Sequence, residues 1–380
     1  MNSNAEIAAR AELSPTGVSP EGSFIDAKPA SSPISECIEL SKSYPARSGL
    51  REARGARKFV QAIDRVSLRI YPGESMGLVG ESGSGKSTLG RLLIRLETPT
   101  AGDILFDGVH ITRLRGRRLR KRRQQMQMIF QDPASSLNPR FTAFETIAEA
   151  LEAHGGRMKS GEKIARVEAL SQMVGFSTDA LQRYPKELSS GEKQRVSIAR
   201  SLAVEPRFLV ADEPIASLDL SSQAQLIRLL QQLQQNLHLT LLLITHDLET
   251  VRTMCSRVAV MYLGRIVEIA NTADLLVSAA HPYTRALISA TLSCDPDFPS
   301  HPTVLTGESP SPLDPPAGCH FHPRCPHADV QCRLLVPEER FIGASRMVRC
   351  HFDFDGEHRL TPQIQEDSLT AKDSIIPPPA

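Results

Sequence analysis

A chain of 380 residues has room for two or three domains, and its 41% hydrophobic content can build a sizeable core. Lys plus Arg (44) nearly balances Asp plus Glu (43), which removes any overall electrostatic case for nucleic acid or an anionic membrane as the main partner. The longest apolar runs, such as LTLLLI at 239 to 244, fall far short of the roughly 20 residues that a helical bilayer span needs.

Residues 1–35 carry Ser, Pro, Ala and Gly without an apolar period. They read as a disordered extension, because they cannot bury enough surface to offset ordering entropy. The segment has neither a basic start nor an apolar core, so it is no secretory signal, and a reducing cytoplasm is the expected compartment. CIELS and VSLRI then read as strands, and SMGLVG as a buried strand running straight into a glycine-rich turn and the helix KSTLGRLLIRL. GDILFDG and MQMIF continue the strand pattern. Between about 132 and 190, AFETIAEALEAH and GEKIARVEALSQMVG have helical spacing and few β-branched residues, which predicts a helical insert. A helix through Leu202, the strand RFLVAD, the helix AQLIRLLQQLQ, the strand TLLLIT and the hairpin-like RVAVMYLGRIVEI follow. Proline-rich sequence at 295 to 317 precedes a cysteine cluster, and residues 361–380 form a polar tail expected to be disordered.

GESGSGKS (Gly80, Glu81, Ser82, Gly83, Ser84, Gly85, Lys86, Ser87), with Thr88 next, fits G-x-x-x-x-G-K-[ST] and lies between a strand and a helix. Glycines admit the positive φ that turns backbone N–H groups toward a phosphate chain, and the helix N-terminus favours the same negative charge. Lys86 would reach the β and γ phosphates, and the Ser87 hydroxyl would be a ligand for Mg²⁺. FLVADEP supplies the complement: a buried strand ends at Asp212, where the magnesium shell would be, with Glu213 beside it to polarise a water.

YPKELSSGEKQRVSIARSLA, lying between these motifs, brings the pattern to a family: it resembles the ATP-binding cassette (ABC) ATPases, in which an LSGGQ-like signature opens a helix before the acidic strand. Here the signature reads Leu188, Ser189, Ser190, Gly191 and Glu192. The resemblance covers about residues 36–290. It implies a P-loop (RecA-like) α/β core with antiparallel β and α-helical subdomains, and a site shared between two subunits, in which Ser189 and Gly191 of one cover the ATP held by the other. It further implies that Gln131 senses metal and γ phosphate, that Asp219 is the D-loop aspartate, that His246 is the switch histidine, and that Tyr44 stacks on adenine. Ser190 and Glu192 replace the usual glycine and glutamine, so the composite site using this signature is expected to be the weaker one.

Beyond the cassette, MYLGRIVEIA, HPYTRALISATL and LTGESPSPLDPPAGCHFHPRC resemble the C-terminal extension (residues 291–360) of the ATPase subunits of dipeptide and oligopeptide permeases. That branch implies a heterodimer with a second ABC ATPase, two transmembrane permease subunits, an extracytoplasmic solute-binding protein, and residence on the cytoplasmic face of the membrane. A soluble ABC ATPase acting on nucleic acid or ribosomes is the alternative, but the chain has neither the long coiled-coil insertion nor the second cassette of such proteins. In some relatives the extension is reported to hold an iron–sulfur cluster. Here Cys319, Cys325, Cys332 and Cys350 would be the ligands of a [4Fe–4S] centre, which suits four thiols chemically. Their spacing fits a zinc knuckle poorly, and reduced, unliganded thiols are the other reading. His320, His322, His327 and His351 are expected to face solvent, and Cys37, Cys255 and Cys294 to be packing residues. The run RLRGRRLRKRR, with eight basic residues from Arg113 to Arg123, reads as a solvated surface helix in preference to a nucleic-acid patch.

Overall fold

The computed structural model describes residues 32–46, 58–156, 158–290, 305, 307–343, 345–355 and 358–359. The two disordered termini expected above fall outside these residues, apart from 32–35, and so does Cys294. In chain order the elements are β1 Ser35–Pro45, β2 Phe59–Ile70, β3 Ser75–Val79, α1 Lys86–Leu93, β4 Ala101–Phe106, β5 Val109–His110, α2 Gly116–Arg123 and β6 Met126–Ile129. Next come α3 Pro133–Ser136, α4 Ala143–Gly155, α5 Ser160–Met173, α6 Ser190–Leu202, β7 Phe208–Asp212, α7 Leu220–Asn236, β8 Thr240–Ile244 and α8 Leu248–Met254. The chain continues through β9 Arg257–Tyr262, β10 Arg265–Asn271, α9 Thr272–Ser278, α10 Pro282–Ser289, α11 Val330–Leu334, β11 Arg340–Ile342, β12 Arg346–Val348, β13 Phe354–Asp355 and β14 His358–Arg359.

An antiparallel sheet of order β2-β1-β4-β5 lies beside an eight-stranded sheet of order β11-β12-β10-β9-β3-β8-β7-β6. Within the larger sheet β9, β3, β8, β7 and β6 are parallel, and β10, β12 and β11 continue it antiparallel. The parallel strands read as unbroken apolar runs because both of their faces are covered. Leu209, Ala211, Leu241, Leu243, Val258 and Val260 pack on one side with the apolar stripes of α4, α6 and α7. Their alternating neighbours Phe208, Val210, Leu242, Ile244, Ala259 and Met261 pack on the other, against α1 and the antiparallel sheet. Among the described residues no helix is long and apolar enough to cross a membrane. The basic run forms α2, none of whose side chains is buried.

The segment after β10 is built into the main sheet. Glu268 and Ile269 of β10 pair with Val348 and Met347 of β12. At the turn into α10, the fully buried Glu268 carboxylate accepts the N–H groups of Ala280 and His281. His281 Nδ1 in turn accepts the Tyr283 N–H at 3.0 Å and caps α10. Burial drives the His281 pKa down to about 3 and, with Arg265 adding repulsion, that of His320 down to about 4. Both imidazoles are depressed, so the unfolded chain takes up protons first as pH falls, and stability is lost from about pH 6.5 downward, by at most about 1.4 kcal/mol per pH unit for each histidine. Asp212 and Glu268, held upward by burial, act in the opposite sense. A His281→Asn variant keeps a capping acceptor that does not titrate. Urea denaturation at pH 7 and pH 5 should show a smaller acid loss for this variant than for the wild type; equal losses would show that His281 is not responsible.

Candidate functional site

The strand register decides what meets at one edge. Leu78 pairs with Ile244, Asp212 with Ile244, and Ile129 with Ala211, so the carboxyl ends of β3, β8, β7 and β6 finish side by side. Gly80, Asp212, Glu213, His246 and Gln131 all lie within two residues of those ends, where open parallel sheets form their binding crevices.

The Gly80–Ser87 loop wraps back on itself. Gly80 (φ 150°) lies so close to the Met261 carbonyl of β9 that a Cβ has no space, and Gly85 (φ 105°) is held likewise against the Ala62 carbonyl. Ser82 and Gly83 form the exposed tip, and Ser84 is buried. Lys86 is 6% exposed, and its Nζ donates to the carbonyls of Gly80 (2.7 Å) and Glu81 (2.8 Å), with Ser84 Oγ at 3.5 Å. Burial pulls the Lys86 pKa downward, against the fields of Glu213, Asp212 and Glu81. Its ammonium is thus held by neutral oxygens at the mouth of the loop, a suitable partner for an incoming anion.

Ser87 Oγ donates to Asp212 Oδ1 at 2.9 Å. Asp212 is 1% exposed, its Oδ2 has no hydrogen-bond partner among the described residues, and burial raises its pKa. A carboxylate with one oxygen on a hydroxyl and the other unpaired in a dry cleft fits a site for a hard divalent cation. Glu213 follows in a left-handed conformation (φ 45°), with its N–H bonded to the Ile244 carbonyl. This backbone costs about 1–3 kcal/mol for a residue other than glycine, and such strain concentrates at functional sites. The Glu213 carboxylate accepts from Gln131 Nε2 at 3.1 Å and lies 3.4 Å from His246 Nδ1. Two of the expected residues, Gln131 and His246, are therefore gathered around the expected acid.

The remaining candidates lie around this centre. Tyr44 on β1 bonds Glu97, is influenced by Thr88 and Arg91 of α1, and carries Lys42 Nζ 4.8 Å above its ring. Its pKa is pushed up to about 12, by burial first and then by Glu97. Ser189 and Glu192 form a reciprocal capping box at the start of α6: Ser189 Oγ accepts from Glu192 N, and Ser189 N donates to Glu192 Oε2. Gly191 faces Ser222, whose N–H and hydroxyl both bond the Asp219 carboxylate at the start of α7.

In the extension, the four thiols share one neighbourhood: the amide of Cys319 donates to the carbonyl of Cys332, and Cys325 feels the charges of Cys350, Cys319 and Cys332. Burial raises the pKa of Cys319, and those of Cys325 and Cys350 to about 12 and 11. Among the described residues, however, no three His, Cys, Asp or Glu side chains form a group that could hold a metal ion, so the expected iron–sulfur centre is not supported. The histidine expectation needs correction too. His320 is buried and bonds the Leu263 carbonyl through Nδ1, because its segment folds under the β9–β10 turn. Cys37 and Cys255 are buried packing residues, as expected.

Two residues that sequence reasoning missed touch the loop. The Tyr283 hydroxyl accepts the Glu81 N–H at 2.8 Å, and Arg324 grips the Glu81 carboxylate with both terminal nitrogens at 2.8 and 3.0 Å. HPY and HPRC were visible as motifs, but nothing local ties them to a loop more than 200 residues earlier.

A glycine loop between a buried strand and a helix, facing an acid at the end of a neighbouring parallel strand, is the arrangement of a P-loop nucleoside triphosphatase. The family profile described as "ABC transporter" matches residues 63–216, and the one described as "Oligopeptide/dipeptide transporter, C-terminal region" matches residues 267–332. A Brucella ovis protein provisionally named a peptide import ATP-binding protein is 46% identical over 318 residues, covering 84% of this chain and 97% of its own. The oligopeptide transport ATP-binding protein AppF of Bacillus subtilis is 44% identical over 321 residues, covering 84% and 97%. Among solved structures, the dimeric ATP-binding cassette MJ0796 bound to ADP and Pi superposes with a TM-score of 0.56 at 27% identity, covering 63% of this chain and 99% of that one. The chain belongs to the ABC transporter family, as an ATPase subunit with the oligopeptide/dipeptide type of C-terminal region.

Proposed function

We propose that this chain powers a peptide importer from the cytoplasmic face of the membrane, paired with a second ABC ATPase beneath two permease subunits served by an extracytoplasmic solute-binding protein. The observation that carries the catalytic part is the convergence of Lys86, the Ser87–Asp212 pair and the Gln131–Glu213–His246 group at one sheet edge. Gly80 to Thr88 cradle the triphosphate, and Lys86 exchanges the loop carbonyls for the β and γ phosphates. Ser87, Asp212 and Gln131 would hold Mg²⁺, which when bound supplies positive charge to the phosphate oxygens. Glu213 orients a water and takes up its proton, with Gln131 and His246 fixing the carboxylate. Tyr44 packs on the adenine. Ser189, Gly191 and Asp219 act on the partner's nucleotide, a reading supported by the dimeric state of the MJ0796 cassette.

Peptide as cargo is supported by the names of the relatives and by the C-terminal profile. Docking to a permease is supported by an open groove of about 510 Å³ between α4 and α5. Phe141 and Phe144 line it beside Glu145, Glu149 and Glu152, and although Lys163 of α5 pairs with Glu152, the excess of acids suits an amphipathic segment with basic residues. In proteoliposomes holding the full complex, ATP should drive uptake of labelled di- to hexapeptides. The combined S190G/E192Q change in the signature should raise turnover. Recovery of the chain with nucleic acid and without polytopic membrane proteins would overturn the assignment.

A further inference from the structure

Glu81 is an odd residue for its place. It is the second residue of a loop read as receiving a triphosphate, and its charge reaches Lys86. An unpaired carboxylate there would repel the ligand. Arg324, 9% exposed, meets it in a two-point fork, the geometry that best fixes a carboxylate's direction as well as its charge.

The arm carrying Arg324 is itself anchored. Phe321 is buried against Tyr262 and Tyr283, with ring centroids 5.3 and 5.5 Å away, and the Arg324 guanidinium lies 5.9 Å from the Tyr262 ring centre. Tyr283 then takes the Glu81 N–H. Glu81 is thus held at three groups: its side chain by Arg324, its N–H by Tyr283, and its carbonyl by Lys86. Two of these three holds come from beyond β10.

We propose that the C-terminal extension is a clamp on the phosphate loop, with Arg324 as a positioning residue that neutralises Glu81 and, together with Tyr283, holds the loop open to a triphosphate. This inference rests on the reading of Gly80–Ser87 as the phosphate loop. Its chemistry gives a signature that mere structural support lacks. If Arg324 matters because Glu81 is charged, deleting that charge must repair the loss of Arg324.

The test uses the full-length chain with a fluorescent ATP analogue, and the assembled transporter for turnover. R324A should weaken analogue binding and raise the KM for ATP by at least about fivefold, the factor for two unit charges about 4 Å apart under full water screening, with kcat changed much less. R324K should recover part of the affinity, since it restores charge but not the fork. The double variant E81A/R324A should bind within about threefold of wild type, because the two residues are in contact and the loss of one is offset by the loss of the other. An R324A defect that E81A leaves unrepaired, or a loss confined to kcat, would overturn the clamp. K86A serves as the separate control: if it binds the analogue like wild type, the phosphate-loop reading itself fails, whatever Arg324 does.

Discussion

Replacing Glu213 with Gln should lower ATP hydrolysis by the assembled transporter by about 10²–10⁴-fold, the usual worth of a positioned general base. The substitution keeps size and an acceptor for Gln131, whose Nε2 donates to this carboxylate at 3.1 Å. It removes the negative charge that would receive a proton from water. With that charge, whose field reaches Lys86, goes part of the repulsion of an incoming triphosphate, so nucleotide affinity should hold or rise while turnover falls. Phosphate release measured beside analogue binding separates the two. A variant that hydrolyses ATP at the wild-type rate would assign the base to another group.

Gly80→Ala should cost about 3 kcal/mol or more of folding stability, through a clash together with a strained backbone. Its φ of 150° disfavours any side chain, and the added methyl meets the Met261 carbonyl on β9 and comes within 3.0 Å of Ser84 Oγ. Neither the loop nor the strand can move without breaking the pairing of Val79 with Val260. Gly83→Ala is the internal comparison. Gly83 also has positive φ (78°), but a Cβ there meets nothing within 4 Å, so only the left-handed penalty of about 1–2 kcal/mol remains. Denaturation midpoints should order the variants as wild type, G83A and then G80A. Equal losses at the two positions would mean that the approach of β9 is unimportant.

Local chemistry made the nucleotide loop legible. Gly80, Gly85 and Lys86 follow one another closely, and a strand and a helix are written into their flanks, so the turn and its anion-seeking end can be read from a short stretch of chain. Asp212 and Glu213 were legible for the same reason, as the charged end of an apolar run. Composition and periodicity also marked the helices between 132 and 190. What no stretch could reveal was the register that sets Ile129 level with Ala211, and Asp212 level with Ile244, and so turns Gln131 and His246 onto Glu213. Pairing between distant strands depends on the packing of both sheet faces at once, and that information is spread over the whole core.

The C-terminal extension divides in the same way. Its cysteines and its HPY and HPRC motifs stand out in the sequence, yet the resemblance to the permease ATPases implied a metal-centred unit, beside the alternative of unliganded thiols, and the histidines were expected to face solvent. In the folded chain β12 joins the main sheet, His320 turns inward to Leu263, and Arg324 and Tyr283 reach back across 243 and 202 residues to Glu81. Sequence by itself determined which chemistry this protein carries, because phosphate-binding turns and acidic strand ends are short-range patterns. Only the tertiary structure decided which residues share that chemistry, because a hydrogen bond between distant segments exists only after the core has brought them together.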